Sequence, residues 1–304
     1  MQARIWDDAQ AFAKQVRQVP ARAPGVPRGV FLISPAQFQL AEQSARDNVY
    51  MQMAQPVDAA LALAQHQALA QVLGKAGIVV HSFPGDPETP DAVFPNNVFA
   101  TAAGRLIIGA MRHPVRQRET MRADIRAWFR TLLGYREIDL MQRDCIAELT
   151  GSLVIDRARN IGYCGLSERC NRAGAIAMAE AFGLHHLLIF DLAAGEYHTN
   201  VVMSALGRGV LLCREGFADQ AVADAIASGY AAAIFIDANE KSQFVGNCIA
   251  LGERGLWMSS CAASALRPAT RASIQALGLD IHSLALDELE KAGGSLRCMI
   301  GEIY

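Results

Sequence analysis

The sequence predicts an α/β fold, a five-bladed, pseudo-symmetric β-β-α-β propeller. Three observations predict it: four hairpin-like segments of similar make-up, a helical stretch and a further strand after each of them, and a fifth such unit divided between the two ends of the chain.

The hairpins are residues 98–109 (VFATAAGRLIIG), 152–165 (SLVIDRARNIGYCG), 201–213 (VVMSALGRGVLLC) and 248–259 (CIALGERGLWMS). Alternating apolar and β-branched residues favour strand, and the Gly-Arg, Arg-Asn and Glu-Arg-Gly elements favour tight turns. Helices are expected over 118–133, 171–182, 218–228 and 269–277, where apolar residues recur at helical spacing among Ala, Glu, Arg and Gln. A third strand follows in each unit, at 136–140, 186–191, 233–237 and 280–286. The fifth unit draws a strand from 30–34, a helix from 57–75 and a strand from 78–83. Its remaining strand is 297–304 (RCMIGEIY), placed to pair with the first. Closing five units into a ring, sheets inside and helices outside, leaves few exposed sheet edges. Residues 1–304 are therefore expected to form a single domain, with 1–28 as a peripheral N-terminal extension.

Of 304 residues 52% are apolar and 19% charged, an ordinary globular balance with material for a large core. A formal net charge of −2 gives no electrostatic case for nucleic acid or an anionic membrane surface. No apolar run approaches the roughly 20 residues that span a bilayer. The first residues are charged and lack an apolar stretch ending in a small-residue cleavage site, so a cytoplasmic location is expected. Seven cysteines, an odd number, argue against a disulfide framework. With no CxxC pair, HExxH or phosphate loop, neither a metal nor another cofactor is expected. Cys164 and Cys170 are poorly spaced for a zinc knuckle, and His185 and His186 cannot both face one side of a strand.

Function is sought in what precedes each hairpin's first strand. The segments are Phe94-Pro95-Asn96-Asn97, Glu148-Leu149-Thr150-Gly151, Tyr197-His198-Thr199-Asn200, Val245-Gly246-Asn247 and Gly293-Gly294-Ser295-Leu296-Arg297-Cys298. In a ring, equivalent positions lie at the same end of the axis, so His, Glu, Asn and Cys side chains would converge on one central mouth. Most cysteines in apolar settings are inert core residues, and Cys145, Cys164, Cys170, Cys213, Cys248 and Cys261 are read that way. Cys298 stands apart because it follows two glycines where a loop turns into the last strand. His198 has the near-neutral titration of a general acid and base beside a thiolate. Glu148 is suited to orienting that imidazole or to accepting a cationic substrate's N–H groups. A Cys-His-Glu set also serves acyl transfer, so a cysteine peptidase or amidase remains open on the residues alone.

The segments FPNN, YHTNVVMS and GGSLRCMIGEIY together resemble the guanidino-group-modifying enzymes, or penteins. The resemblance runs from about Val30 to Tyr304 and is nearest to the amidinotransferase-like, citrulline-utilisation branch. Dimethylarginine dimethylaminohydrolases and arginine deiminases are more distant members. It implies Cys298 as nucleophile, His198 as catalytic histidine and Glu148 as the acid before the second hairpin. It further implies that Arg169, in Gly-Leu-Ser-Glu-Arg, and Arg116, in Pro-Val-Arg-Gln-Arg-Glu, grip an amino-acid carboxylate, a task that suits a guanidinium fork. Arginine deiminases carry an aspartate where this chain has Asn200, and many relatives carry an acid where it has Asn96 and Asn97. An asparagine offers a neutral acceptor and donor. These replacements weaken the case for an ordinary arginine deiminase and fit a ureido substrate or two successive hydrolyses.

The expected activity is cysteine-dependent hydrolysis of a C–N bond in the guanidino or ureido group of arginine, citrulline or a derivative. An amidinotransferase is the alternative within the family, and a non-enzymatic binding pentein the alternative outside it. The expected partner is a small molecule carrying that group and a carboxylate; a homodimer is compatible with the sequence.

Overall fold

The computed structural model describes residues 3–22, 25–207 and 209–304. Its strands are β1 (Arg4–Trp6), β2 (Gly29–Ile33), β3 (Val80–Phe83), β4 (Phe99–Ala102), β5 (Arg105–Ile108), β6 (Arg136–Asp139), β7 (Leu153–Asp156) and β8 (Ile161–Leu166). They continue with β9 (His186–Asp191), β10 (Met203–Ala205), β11 (Val210–Cys213), β12 (Ala233–Ile236), β13 (Ile249–Leu251), β14 (Gly255–Ser259), β15 (Asp280–Leu284) and β16 (Gly301–Ile303). They form five small sheets, β4-β5-β6, β1-β9-β8-β7, β10-β11-β12, β13-β14-β15 and β16-β2-β3.

Each sheet has the same internal logic. The first two strands are antiparallel, with Phe99 opposite Ile108 in one and Leu153 opposite Cys164 in the next. The second and third are parallel, as Ile107 opposite Ile138 shows. A parallel return needs a crossover, and the helices provide it. The two-residue turn Ala103-Gly104 places Gly104 at φ +68°, where a side chain would be strained. Asn160 takes the same left-handed role at φ 56° between β7 and β8. In the fifth sheet β16 pairs antiparallel with β2, Gly301 opposite Phe31, so a late strand closes a sheet begun near the start of the chain.

The ring follows from which units touch. β16 packs on β4, the segment before β7 packs on the segment before β4, β7 packs on β10, and β10 packs on β13. The segment before β16 returns to both β14 and the segment before β4. The core lies between neighbouring layers. β2 shows why: Val30 and Leu32 pack with Ala62, Leu69 and Leu73 of the helix Ala59–Lys75, while Phe31 and Ile33 pack with Phe83, Ile108 and Phe129. Its alternate side chains thus enter two different clusters.

Three details depart from the sequence expectations. The helix expected over 118–133 is two helices, Pro114–Glu119 and Ala123–Thr131. Between them Arg122 has ψ 94°, with its guanidinium on Asp124 and on the carbonyl of Pro84. Residues 201–202 and 297–299, expected as strand, belong to single helical turns, Thr199–Val202 and Leu296–Met299. In the stretch expected to be peripheral, Arg4–Trp6 pairs parallel with β9, and Ala9–Val16 is a helix packed on Gln220–Ser228.

Candidate active site

Those short turns build the site. Pro95–Asn97, Leu149–Ser152, Thr199–Val202 and Leu296–Met299 each end where the first strand of a unit begins. A tight turn closed by Asn247 N–H on the Phe244 carbonyl does the same before β13. Glu148 and His198 stand at the head of their turns, and Cys298 lies inside its own. The ring brings all three together in the interior, where Glu148 and His198 have no exposed surface and Cys298 has 1%.

A narrow cavity at the mouth is lined by Asp91, Asn97, Arg116, Arg169, His198 and Cys298, among others. The segment after β2 covers it with Ser44 and Asn48. His198 Nε2 lies 3.0 Å from Glu148 Oε2. Glu148 also accepts from Arg169 at 3.1 Å. Burial pushes the Glu148 carboxyl upward, but Arg169, the His198 hydrogen bond and Arg116 outweigh it and hold the group well below the usual carboxylate range. An ionised carboxylate only accepts, so His198 Nε2 is the protonated nitrogen. Burial lowers the imidazole's own pKa, against the pull of Glu148. Its Nδ1 therefore bears the lone pair, and that atom is buried with no partner.

Cys298 is also pushed upward by burial, with Asn247, Arg297 and Asn200 pulling the other way. Among the described residues no hydrogen bond joins it to His198; its side-chain partners are Asn247 at 3.2 Å and Asn200 at 3.6 Å. Asn97 lines the cavity with a buried, unpartnered Oδ1. Asn96 lies in the same turn with both amide atoms buried and unpartnered, off the cavity wall. Asn200 lines a different, wider cleft, with Thr150, Arg297 and Glu302.

The two arginines reach the cavity already engaged. Arg116 grips Glu119 through Nε and Nη2 at 3.0 and 2.9 Å and caps the carbonyls of Asp91 and Phe94. Arg169 holds Glu148, the carbonyl of Ser44 and, at 2.7 Å, Asp47 of the covering segment. His113 reaches the same Asp47 carboxylate at 2.9 Å. Residues that sequence reasoning missed are Asp47, Asp91, which accepts from Ser44 Oγ, and Asn247 as a thiol contact. The acid in Pro-Asp-Ala-Val-Phe-Pro was a usable signal for Asp91; Asp47 lies in a segment with no counterpart in the other units. Among the described residues no three His, Cys, Asp or Glu side chains gather as a metal site would, and no helix is long and apolar enough to cross a membrane.

A ring of five β-β-α-β units with polar turns gathered at one mouth defines the pentein class of guanidino-modifying proteins. Residues 34–304 match the family described as N,N dimethylarginine dimethylhydrolase, eukaryotic, and the chain belongs to that family. Among solved structures it is similar to the N-terminal domain of ArgZ covalently bound to a reaction intermediate, with TM-score 0.77 and 18% identity over 90% of this chain and 97% of that one. It is similar also to the dimethylarginine enzyme of Pseudomonas aeruginosa complexed with citrulline, with TM-score 0.69 and 21% identity over 91% and 99%. Full-length ArgZ is described as an arginine dihydrolase from the ornithine-ammonia cycle in cyanobacteria. It matches with TM-score 0.78 and 19% identity over 90% of this chain but only 40% of its own. At these identities the likeness is one of fold.

Proposed function

We propose that this chain is a cysteine-dependent hydrolase of a guanidino or ureido C–N bond on a small arginine-type amino acid, with Cys298 as nucleophile and His198 as acid and base. One observation carries the reading. Cys298 and His198 line one cavity without hydrogen-bonding each other, and the imidazole keeps an unpartnered Nδ1, which supports a flat carbon centre binding between the two side chains.

The course of reaction follows from those positions. Cys298 Sγ attacks the guanidino carbon, forming a C–S bond as the thiol proton passes to His198 Nδ1, while Asp91 and Asn97 accept substrate N–H groups. His198 delivers a proton to the departing nitrogen, and the C–N bond breaks to leave a thiouronium-like intermediate. His198 Nδ1 then takes a proton from water, whose oxygen attacks the same carbon and expels the sulfur, and that proton returns to the sulfur. Ionised Glu148 fixes the imidazole and favours its cationic form at each transfer. Arg169 is the carboxylate anchor: displacement of Asp47 by a substrate carboxylate would exchange one ion pair for another.

Asn97 favours a second reading at the same site. Beside Asp91 it offers the cavity a neutral amide that suits a ureido group, and so citrulline or a second hydrolysis of it. Incubation with arginine, citrulline, dimethylarginine, agmatine and N-succinylarginine, with products followed by mass spectrometry, separates the readings. Ammonia with citrulline from arginine supports one step, and ornithine from citrulline supports the second. Cys298→Ala should abolish turnover; near-normal activity in that variant would end the scheme.

A further inference from the structure

The groups that hydrogen-bond the thiol of Cys298 are two side-chain amides. Asn247 Nδ2 donates to Sγ at 3.2 Å and to the main-chain carbonyl of Asn200 at 3.0 Å. Asn200 Nδ2 donates to the carbonyl of Thr150 at 3.1 Å and approaches Sγ at 3.6 Å, while its Oδ1 lies 3.8 Å from Sγ as an acceptor for the thiol proton. The Asn200 carbonyl decides which way the Asn247 amide faces. A flipped amide would set its oxygen against that carbonyl, so the N–H side is the one fixed toward sulfur. The same residue also holds the turn that carries the thiol, because its main-chain carbonyl accepts from Arg297 N–H at 3.3 Å.

The charged and titratable groups around the thiol leave these amides a distinct task. Asp91, Arg116, Arg169, Tyr197 and His198 line the cavity, and Arg297 lies on the thiol's own turn. Each of the three cations is already paired: Arg116 with Glu119, Arg169 with Glu148 and Asp47, and Arg297 with Glu302 at 2.8 Å. Among the described residues His198 makes no hydrogen bond to sulfur, its Nε2 being held by Glu148.

We infer that Asn247 is a further catalytic residue of this site, and that it holds the Cys298 thiolate through a neutral N–H donor, independently of His198. This rests on the reading of Cys298 as nucleophile. N–H donors favour the charged form of a group they touch, and a thiolate attacks where a thiol does not. Loss of one donor should shift the titration by about one pH unit, a roughly tenfold loss of thiolate at any pH below the midpoint.

The test is the ultraviolet thiolate titration of Cys298, taken as the difference between each protein and its Cys298→Ala counterpart. Asn247→Ala should raise the midpoint by about one unit, and His198→Ala should leave it in place. Asn247→Asp, which keeps the shape but replaces the donor with a carboxylate, should raise it further and serves if the alanine variant does not fold. An unchanged midpoint in a folded Asn247 variant would overturn the inference. So would a wild-type midpoint below that of an ordinary free thiol that rises in His198→Ala, because that is the mark of a thiolate–imidazolium pair. A shift as expected in a protein that turns over no guanidino or ureido compound would leave Asn247's role standing and remove the proposed function instead.

Discussion

Gly151 offers the sharpest single perturbation, because it tests the mouth without deleting any polar group. It lies in the turn Leu149–Ser152, and a Cβ there would stand 2.5 Å from Asn97 Oδ1 and 2.7 Å from His198 Cε1 and Nδ1. Moving those contacts out to an ordinary 3.4 Å shifts the amide by about 0.9 Å and the ring by about 0.7 Å. The ring has little freedom to yield: its Nε2 is tied to Glu148 at 3.0 Å, and the Tyr197 ring lies against it, tilted by 43° with centroids 4.5 Å apart. A displacement near 1 Å at reacting groups costs on the order of 100-fold in rate, or about 2.7 kcal/mol of barrier. Gly151→Ala should therefore lose about 100-fold in kcat on whichever substrate the panel identifies. Overpacking of this kind typically costs about 1–3 kcal/mol of stability, so the variant should still fold. Steady-state kinetics beside circular dichroism and thermal melting make the measurement. A folded variant with wild-type kcat would show that neither Asn97 nor His198 needs its present position, and the arrangement argued above would fail.

Two further outcomes concern the scaffold. Gly74, inside the helix Ala59–Lys75, has open space where a Cβ would go, so Gly74→Ala should stabilise the protein by about 0.5–1 kcal/mol in urea titrations and leave kcat unchanged. Burial lowers His66 to about 4, whereas the unfolded chain takes up that proton near 6.5. Between those values the unfolded state binds more protons, so stability must fall as the pH drops through the window, by about 3 kcal/mol in all. His66→Gln should flatten that part of the pH–stability curve, and an identical slope in the variant would refute the assignment.

The sequence disclosed the repeat because its signals are local. Val98–Ile108 and Leu153–Leu166 alternate and carry a Gly or Asn at the turn, which is all a hairpin needs. The one-turn helices at Thr199–Val202 and Leu296–Met299 were not legible, since a single turn is far below the length at which propensity decides anything; the packing of neighbouring units imposes it. Cys298, His198 and Glu148 could be singled out by their equivalent places in the repeat. Arg116 and Arg169 were recognisable as cations of the mouth, yet nothing in their spacing showed that Glu119, Glu148 and Asp47 already hold them. Asp47 and Asp91 come from segments outside the repeating pattern, so periodicity could not reach them. The strand Arg4–Trp6 escaped for another reason: three residues carry too little pattern, and its partner β9 lies some 180 positions away.

The pairing of β16 with β2 also sets an order on assembly. β2 is synthesised well before β16, so its sheet cannot be completed, nor Cys298 set in place, until the distant segment that carries both the thiol and the mating strand has followed.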